Sequence, residues 1–68
     1  MEDEVYVIYD VVYDDNGTET TDGPYNNRQT ATRQYNEHIN DGSTYVVLRR
    51  IVYDLFNEDI DILEEYTK

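Results

Sequence analysis

The sequence has no cysteine, a single histidine and very little positive charge. Without cysteine the chain forms no disulfides and none of the ordinary zinc sites, and the lone His38 cannot build a metal cage. A catalytic base would need a nucleophile and an orienting partner, and the sequence offers no such set. We therefore expect no metal, no cofactor and no catalytic residue, and we predict that the protein is not an enzyme.

Long apolar runs are also missing. No segment approaches the ~20 apolar residues that cross a bilayer, and no basic-then-apolar segment of the secretory kind is seen. These absences predict a cytoplasmic protein. The 68 residues predict one domain, 1–68, whose core is marginal in size. Chains this small usually recruit disulfides, a metal or a second subunit. Because the first two are excluded, oligomerisation is the expected source of extra stability.

Negative charge is what the chain has in excess. It carries 16 Asp and Glu against 5 Lys and Arg, a net charge of -11. Such a chain is repelled by nucleic acid and by anionic membranes, so neither is an expected direct partner. A solvating acidic tail has few aromatic residues, whereas this chain has 8 Tyr among Val- and Ile-rich segments. The pattern indicates a folded acidic domain whose natural partner is a basic surface.

The pattern of apolar and turn residues predicts an α+β domain. Residues 4–13 and 18–21 form a hairpin around Asn16-Gly17, the strongest short-range hairpin signal, and Asp22-Gly23-Pro24 ends the second strand.

A helix begins after Asn26 or Asn27 and runs to about Ile39, and Gly42 takes the left-handed position that follows a helix. Residues 44–56 form a third strand. A short C-terminal helix is expected over residues 58–66, with a strand or a tail left open.

The simplest topology is ββαβ, a three-stranded antiparallel sheet of order 2-1-3 with one packed helix. Both long strands are apolar on both faces, and a single helix covers only one of them. Either the C-terminal segment folds over the second face or another copy of the chain does. We expect a homodimer, formed through the bare sheet face or through the edge of the third strand.

The acidic residues are expected to gather at the two ends of this sheet. Carboxylates ~6.6 Å apart on one side of a strand can imitate a row of phosphates. Arg49 and Arg50 are interpreted as internal charge balance, with Asp10 as a candidate partner for Arg50. The predicted partner-binding carboxylates are Glu2, Asp3, Glu4, Asp54, Glu58, Asp59, Asp61, Glu64 and Glu65 at one end, and Asp14, Asp15, Glu19 and Asp22 at the hairpin tip, with Asp41 nearby.

In size, charge, tyrosine content and sheet-plus-helix pattern, the chain resembles the small acidic proteins that bacterial viruses make to inhibit host DNA-binding proteins. That class includes inhibitors of uracil-DNA glycosylase, restriction enzymes, CRISPR nucleases, sliding clamps and the nucleoid protein HU. The resemblance implies a DNA mimic, often dimeric, in the host cytoplasm. It contains no signature motif, and Arg28, Arg33, Arg49 and Arg50 depart from a uniformly negative surface.

Two functional hypotheses follow. In the first, the carboxylates occupy the basic DNA-binding groove of a host protein, with a nucleoid-associated protein of the HU type as the favoured target. In the second, the chain is a protein–protein interaction module that binds through its apolar sheet face, and the charge serves solubility. The two differ in salt dependence, because electrostatic binding weakens with ionic strength and apolar docking does not.

Overall fold

The computed structural model describes residues 5–68 as a four-stranded antiparallel sheet with one helix on one face. The strand order is β2-β1-β3-β4. The α+β prediction is confirmed, and the prediction of a three-stranded ββαβ sheet is wrong because a fourth strand extends it. The elements in chain order are β1 (Tyr6–Asp15), β2 (Thr18–Tyr25), α1 (Arg28–Asn40), β3 (Tyr45–Tyr53) and β4 (Glu58–Thr67).

The C-terminal segment is a strand and not the expected short helix. β4 pairs with β3 from Glu58 opposite Tyr53 to Thr67 opposite Tyr45, with one register shift at Leu63. Ile60 and Ile62 alternate with Asp59 and Asp61, the period of two that suits a strand. Pairing also satisfies the backbone groups that an uncovered β3 would expose. The edge of β3 is therefore occupied by β4, which removes one of the two interfaces predicted for a dimer.

Two strand ends also differ from the sequence-based expectation. β3 ends at Tyr53 because Asp54 starts a turn: its Oδ1 accepts hydrogen bonds from the backbone N–H groups of Phe56 and Asn57, each at 2.8 Å. β2 continues through Pro24 to Tyr25, with an irregularity in its pairing with β1. An edge strand tolerates a proline because one side of its backbone has no ladder partner.

The predicted turns and caps are confirmed. Asn16 and Gly17 both have positive φ, as a two-residue hairpin turn requires. Asn27 caps α1, its Oδ1 accepting a 2.7 Å hydrogen bond from the N–H of Thr30. At the other end Gly42 has φ +99, and its N–H donates to the carbonyl of Ile39. This left-handed residue stops the helix and turns the chain into β3.

The two faces of the sheet have different surroundings. Val11, Val46 and Leu48 are fully buried beneath Ala31 and Tyr35 of α1. Their sequence neighbours point the other way, because successive side chains of a strand alternate between faces. We call this second side the open face. By cross-strand register it carries Ile8, Val12, Val47, Ile51, Ile60 and Ile62, with the stacked pair Tyr6 and Tyr53 at one end.

An ion pair lies in the middle of the open face. Asp10 is opposite Arg49 in the register, and both oxygens of its carboxylate accept 2.7 Å hydrogen bonds from the Arg49 guanidinium. These bonds raise the pKa of Arg49 above its ordinary value. The expectation that Asp10 would pair with Arg50 is wrong, because Arg50 projects from the opposite face. Arg50 instead pairs with Asp61 of β4.

Candidate functional site

The most acidic feature of the fold is the edge strand β4. Within residues 5–68, β4 pairs with β3 on one side and has no strand on the other. Its cross-strand partners place two of its carboxylates on the open face and three on the side of α1. All five are exposed. We call this row the acidic edge; it consists of Glu58, Asp59, Asp61, Glu64 and Glu65.

The dimensions of the acidic edge can be compared with those of DNA. β4 is ~34 Å long, close to one turn of duplex, and its five carboxylates span the ~24 Å from Glu58 to Glu65. One DNA strand carries a phosphate per ~3.4 Å of helix axis, about eight over that span, so the five carboxylates supply fewer charges than a DNA strand of the same length. The whole described domain is narrow as well, with extents of 47 × 21 × 15 Å. The acidic edge is therefore an incomplete copy of one strand's charge, held on a paired strand with one register irregularity.

One carboxylate of the edge has a cationic partner. The guanidinium of Arg50 donates a 2.7 Å hydrogen bond to Asp61, which raises the pKa of Arg50. Both side chains are more than two-fifths exposed, so water and salt screen the pair. Among the described residues, Glu58, Asp59, Glu64 and Glu65 take part in no ion pair. Four charges of the row thus remain available to an external cation.

The acids do not gather at two ends as the sequence suggested. Because β4 runs back along β3, Glu64 and Glu65 lie opposite Leu48 and Val47, towards the β1–β2 hairpin tip. The structure thus replaces one predicted acidic pole with a band along the sheet edge. Glu2, Asp3 and Glu4, which were predicted to belong to that pole, lie outside the described residues.

Of the second predicted cluster, the structure places Asp14, Asp15 and Glu19 at the hairpin tip. Asp14 and Asp15 line an open depression of about 510 Å³ together with Asp41 and His38. Asp14 also accepts a 2.9 Å hydrogen bond from the hydroxyl of Thr44, and Glu19 is exposed at the start of β2. No group of three metal-ligating side chains is found within residues 5–68. The tip contributes negative charge at the end of the domain.

Two predicted site residues have structural partners of their own. Asp22 accepts a hydrogen bond from the hydroxyl of Tyr25 and lies 2.9 Å from Nε2 of His38, which ties β2 to α1. The hydrogen bond to Asp22, followed by burial and the charge of Asp22, raises the pKa of Tyr25 to about 12. Asp54 holds the β3–β4 turn, and its backbone hydrogen bonds lower the pKa of its carboxyl. These two acids are less free to meet a partner than the acidic edge.

Sequence reasoning missed the central ion pair and the exposed isoleucines of β4. Asp10 and Arg49 interrupt apolar strands, which marks them as a candidate pair, but only the register shows that they meet. Ile60 and Ile62 remain about half exposed on the open face. Their alternation with acids was the available signal for a strand.

Comparisons of the chain with protein-family models, curated proteins and solved structures found no match. Within the part of the chain described here, no helix has the length and apolar character needed to cross a membrane.

Proposed function

We propose that this protein is a non-enzymatic DNA mimic that occupies the basic DNA-binding groove of another protein and so excludes DNA. The observation that carries the proposal is the acidic edge: five exposed carboxylates along a ~34 Å strand, four of them without an ion-pair partner in the described structure. Because the backbone of this row is already paired in a sheet, binding requires less ordering of the chain than it does for a disordered acidic tail.

The mechanism is competition for cations. A DNA-binding groove presents Lys and Arg side chains to phosphates, and the carboxylates of the edge would take those places. Electrostatic steering also accelerates the encounter of a protein of charge -11 with a basic surface. Because the edge has fewer charges than a DNA strand of the same length, affinity comes from several contacts together. Single charge removals are then expected to have small effects.

The favoured target is a nucleoid-associated protein of the HU type, which the chain would meet in the cytoplasm of the bacterial host if it is encoded by a bacterial virus. Architectural proteins of this kind bind DNA without reading its sequence, through basic side chains and DNA deformability. A mimic that presents charge but no base edges would be sufficient to compete with DNA for the binding surface of such a protein. A target that reads bases in the major groove would discriminate against it.

Displacement of labelled duplex DNA from such a protein tests the proposal. The variant Glu64→Gln/Glu65→Gln removes two charges from the edge, and Glu37→Gln/Asp41→Asn removes two exposed charges from α1 and its C-cap. We expect the edge variant to inhibit several-fold less and the control to stay near wild type. Neutralising Glu58, Asp59, Glu64 and Glu65 together should weaken inhibition by on the order of tenfold or more.

Salt gives the second readout. Inhibitor binding should weaken steeply between 50 and 200 mM salt, the range over which phosphate contacts lose affinity. The proposal is wrong if the four-charge edge variant inhibits as well as the wild type, or if wild-type binding is unchanged by salt.

A second candidate function is supported by the half-exposed Ile60 and Ile62. An interaction module that docks an unlike protein on the open face would bind with little salt dependence. Such binding would be lost in Ile62→Asp and kept in the four-charge edge variant, the reverse of the pattern expected for a DNA mimic.

A further inference from the structure

We infer that a second copy of this chain covers the open face, giving a symmetric dimer in which two sheets pack face to face and the two α1 helices lie on the outside. This assembly goes beyond the proposed function and does not depend on it.

The composition of the open face supports an interface. Val12, Val47 and Ile51 are nearly buried within one copy, yet none of them belongs to the cluster beneath α1. Ile60 and Ile62 extend this apolar surface to β4 and are 48% and 55% exposed. An apolar centre of this kind is what the inner layer of a β-sandwich presents to its partner sheet.

The charges of the open face are arranged as in an interface between like subunits. Its central charges, Asp10 and Arg49, neutralise each other within one copy through two 2.7 Å hydrogen bonds. The acids Glu19, Glu58 and Glu65 lie towards its margins by register. A neutral apolar centre with a charged rim is the usual anatomy of a protein interface. A basic partner would gain little binding energy at this neutral centre, whereas a second copy presents an equally neutral, apolar centre to it.

The area of the sheet is sufficient for a dimer. Four strands of 8 to 10 residues, ~4.8 Å apart and on average ~31 Å long, present a face of about 600 Å². Two such faces together cover about 1,200 Å², at the lower end of the range of specific interfaces. The gain matters for a 68-residue chain, because one helix provides a small core.

Sedimentation of the full chain at micromolar concentration tests the inference. The wild type should sediment as a dimer, and added salt should tighten it because both copies are acidic. Ile62→Asp should shift the chain to a folded monomer. The matched control is Leu55→Asp, which adds the same charge at the β3–β4 turn, where Leu55 is 80% exposed; it should remain dimeric.

A dilution series followed by two-dimensional NMR gives a readout that needs no variant. Amide shifts that change with concentration should lie on the strands around Val12, Val47 and Ile62, and the exposed side of α1 should be unaffected. A wild-type monomer at every salt concentration would overturn the inference, and so would loss of the dimer in Leu55→Asp alone. In a monomer, the open face would be left for an unlike partner, and the acidic edge could still act as proposed.

Discussion

The two faces of the sheet bury neighbouring residues by different means. On the α1 side, Val11 and Leu48 are fully excluded from water because Ala31 and Tyr35 lie over them. On the open face, Val12 and Val47 are 7% and 2% exposed in one copy, although residues 5–68 place no second layer of secondary structure over them. By register, the paired Asp10 and Arg49 are their neighbours on this face. Side chains are therefore kept from water in two different ways in this protein. We expect truncations on the two faces to reduce the stability of the fold by different amounts.

The polar contacts of the two faces differ in the same way. On the α1 side, Asp22 links Tyr25 of β2 to His38 of the helix, so its hydrogen bonds join two elements of different layers. His38 is also stacked on Tyr13, with ring centroids 3.8 Å apart. On the open face, Asp10 and Arg49 join two adjacent strands of one layer. The contacts of Asp22 therefore attach α1 to the sheet. The Asp10–Arg49 pair neutralises charge on the open face.

The largest expected effect comes from truncating a residue beneath the helix. Leu48→Ala should destabilise the fold by about 3–4 kcal/mol, because the space it leaves is enclosed on both sides. Ile51→Ala, on the open face, should have a smaller effect of about 2 kcal/mol at dilute protein concentration, where water can reach the site. Urea denaturation followed by circular dichroism measures both. Equal losses would show that the open face is covered even at dilution.

Breaking the Asp10–Arg49 ion pair should cause the next largest loss of stability. Arg49→Met leaves the Asp10 carboxylate almost buried without its partner, and we expect a loss of about 3 kcal/mol. The double variant Asp10→Val/Arg49→Met should be close to wild type in stability, because well-packed apolar residues replace a buried pair at little net cost. A double-mutant cycle measured by urea denaturation gives the coupling free energy between Asp10 and Arg49. A double variant as unstable as Arg49→Met would contradict this account.

Loosening the helix that covers one face should have a moderate effect. Asn27→Ala removes the hydrogen bond to the N–H of Thr30 and should destabilise the fold by about 1 kcal/mol. Asn26→Ala is the matched control, since Asn26 is exposed and precedes the cap; it should be near neutral. Thermal unfolding distinguishes the two variants. Similar losses would mean that Asn27 does not cap the helix in solution.

The smallest expected effect is a loss of stability at alkaline pH. The pKa of Tyr25 is raised from 10.0 to about 12, chiefly by the hydrogen bond that it donates to Asp22. A folded-state pKa above the unfolded value means that this contact stabilises fully below pH 10 and is lost as the pH rises towards 12. Burial also raises the pKa of Tyr35, so tyrosinate absorbance should show late ionisation from both tyrosines, and the part due to Tyr25 should be absent in Tyr25→Phe. In Asp22→Asn, Tyr25 should ionise at lower pH; an unchanged titration would exclude this contact.

Local signals were sufficient for much of the fold. Asn16-Gly17 is recognisable as a turn, and Gly42 as the residue after a helix, because few residues accept positive φ. Asn27 is recognisable as a helix cap because its side chain accepts a hydrogen bond from the free N–H of Thr30. The order of the first three strands follows from short connections and the handedness of crossovers. The acidic edge was only partly predicted: its residues were identified correctly as exposed acids, and their arrangement as a strand was not.

The amino-acid sequence by itself determined the charge, the hairpin, the helix limits and the two-sided apolar character of the long strands, because each depends on a residue's own chemistry or on neighbours a few positions away. Only the tertiary structure decided that residues 58–67 form a fourth strand, that Asp10 meets Arg49, and that five carboxylates line one edge. Helix and strand were both compatible with the apolar spacing of that segment. The unpaired edge of β3 favours the strand, since its backbone hydrogen-bonding groups gain partners there that a helix would not give them.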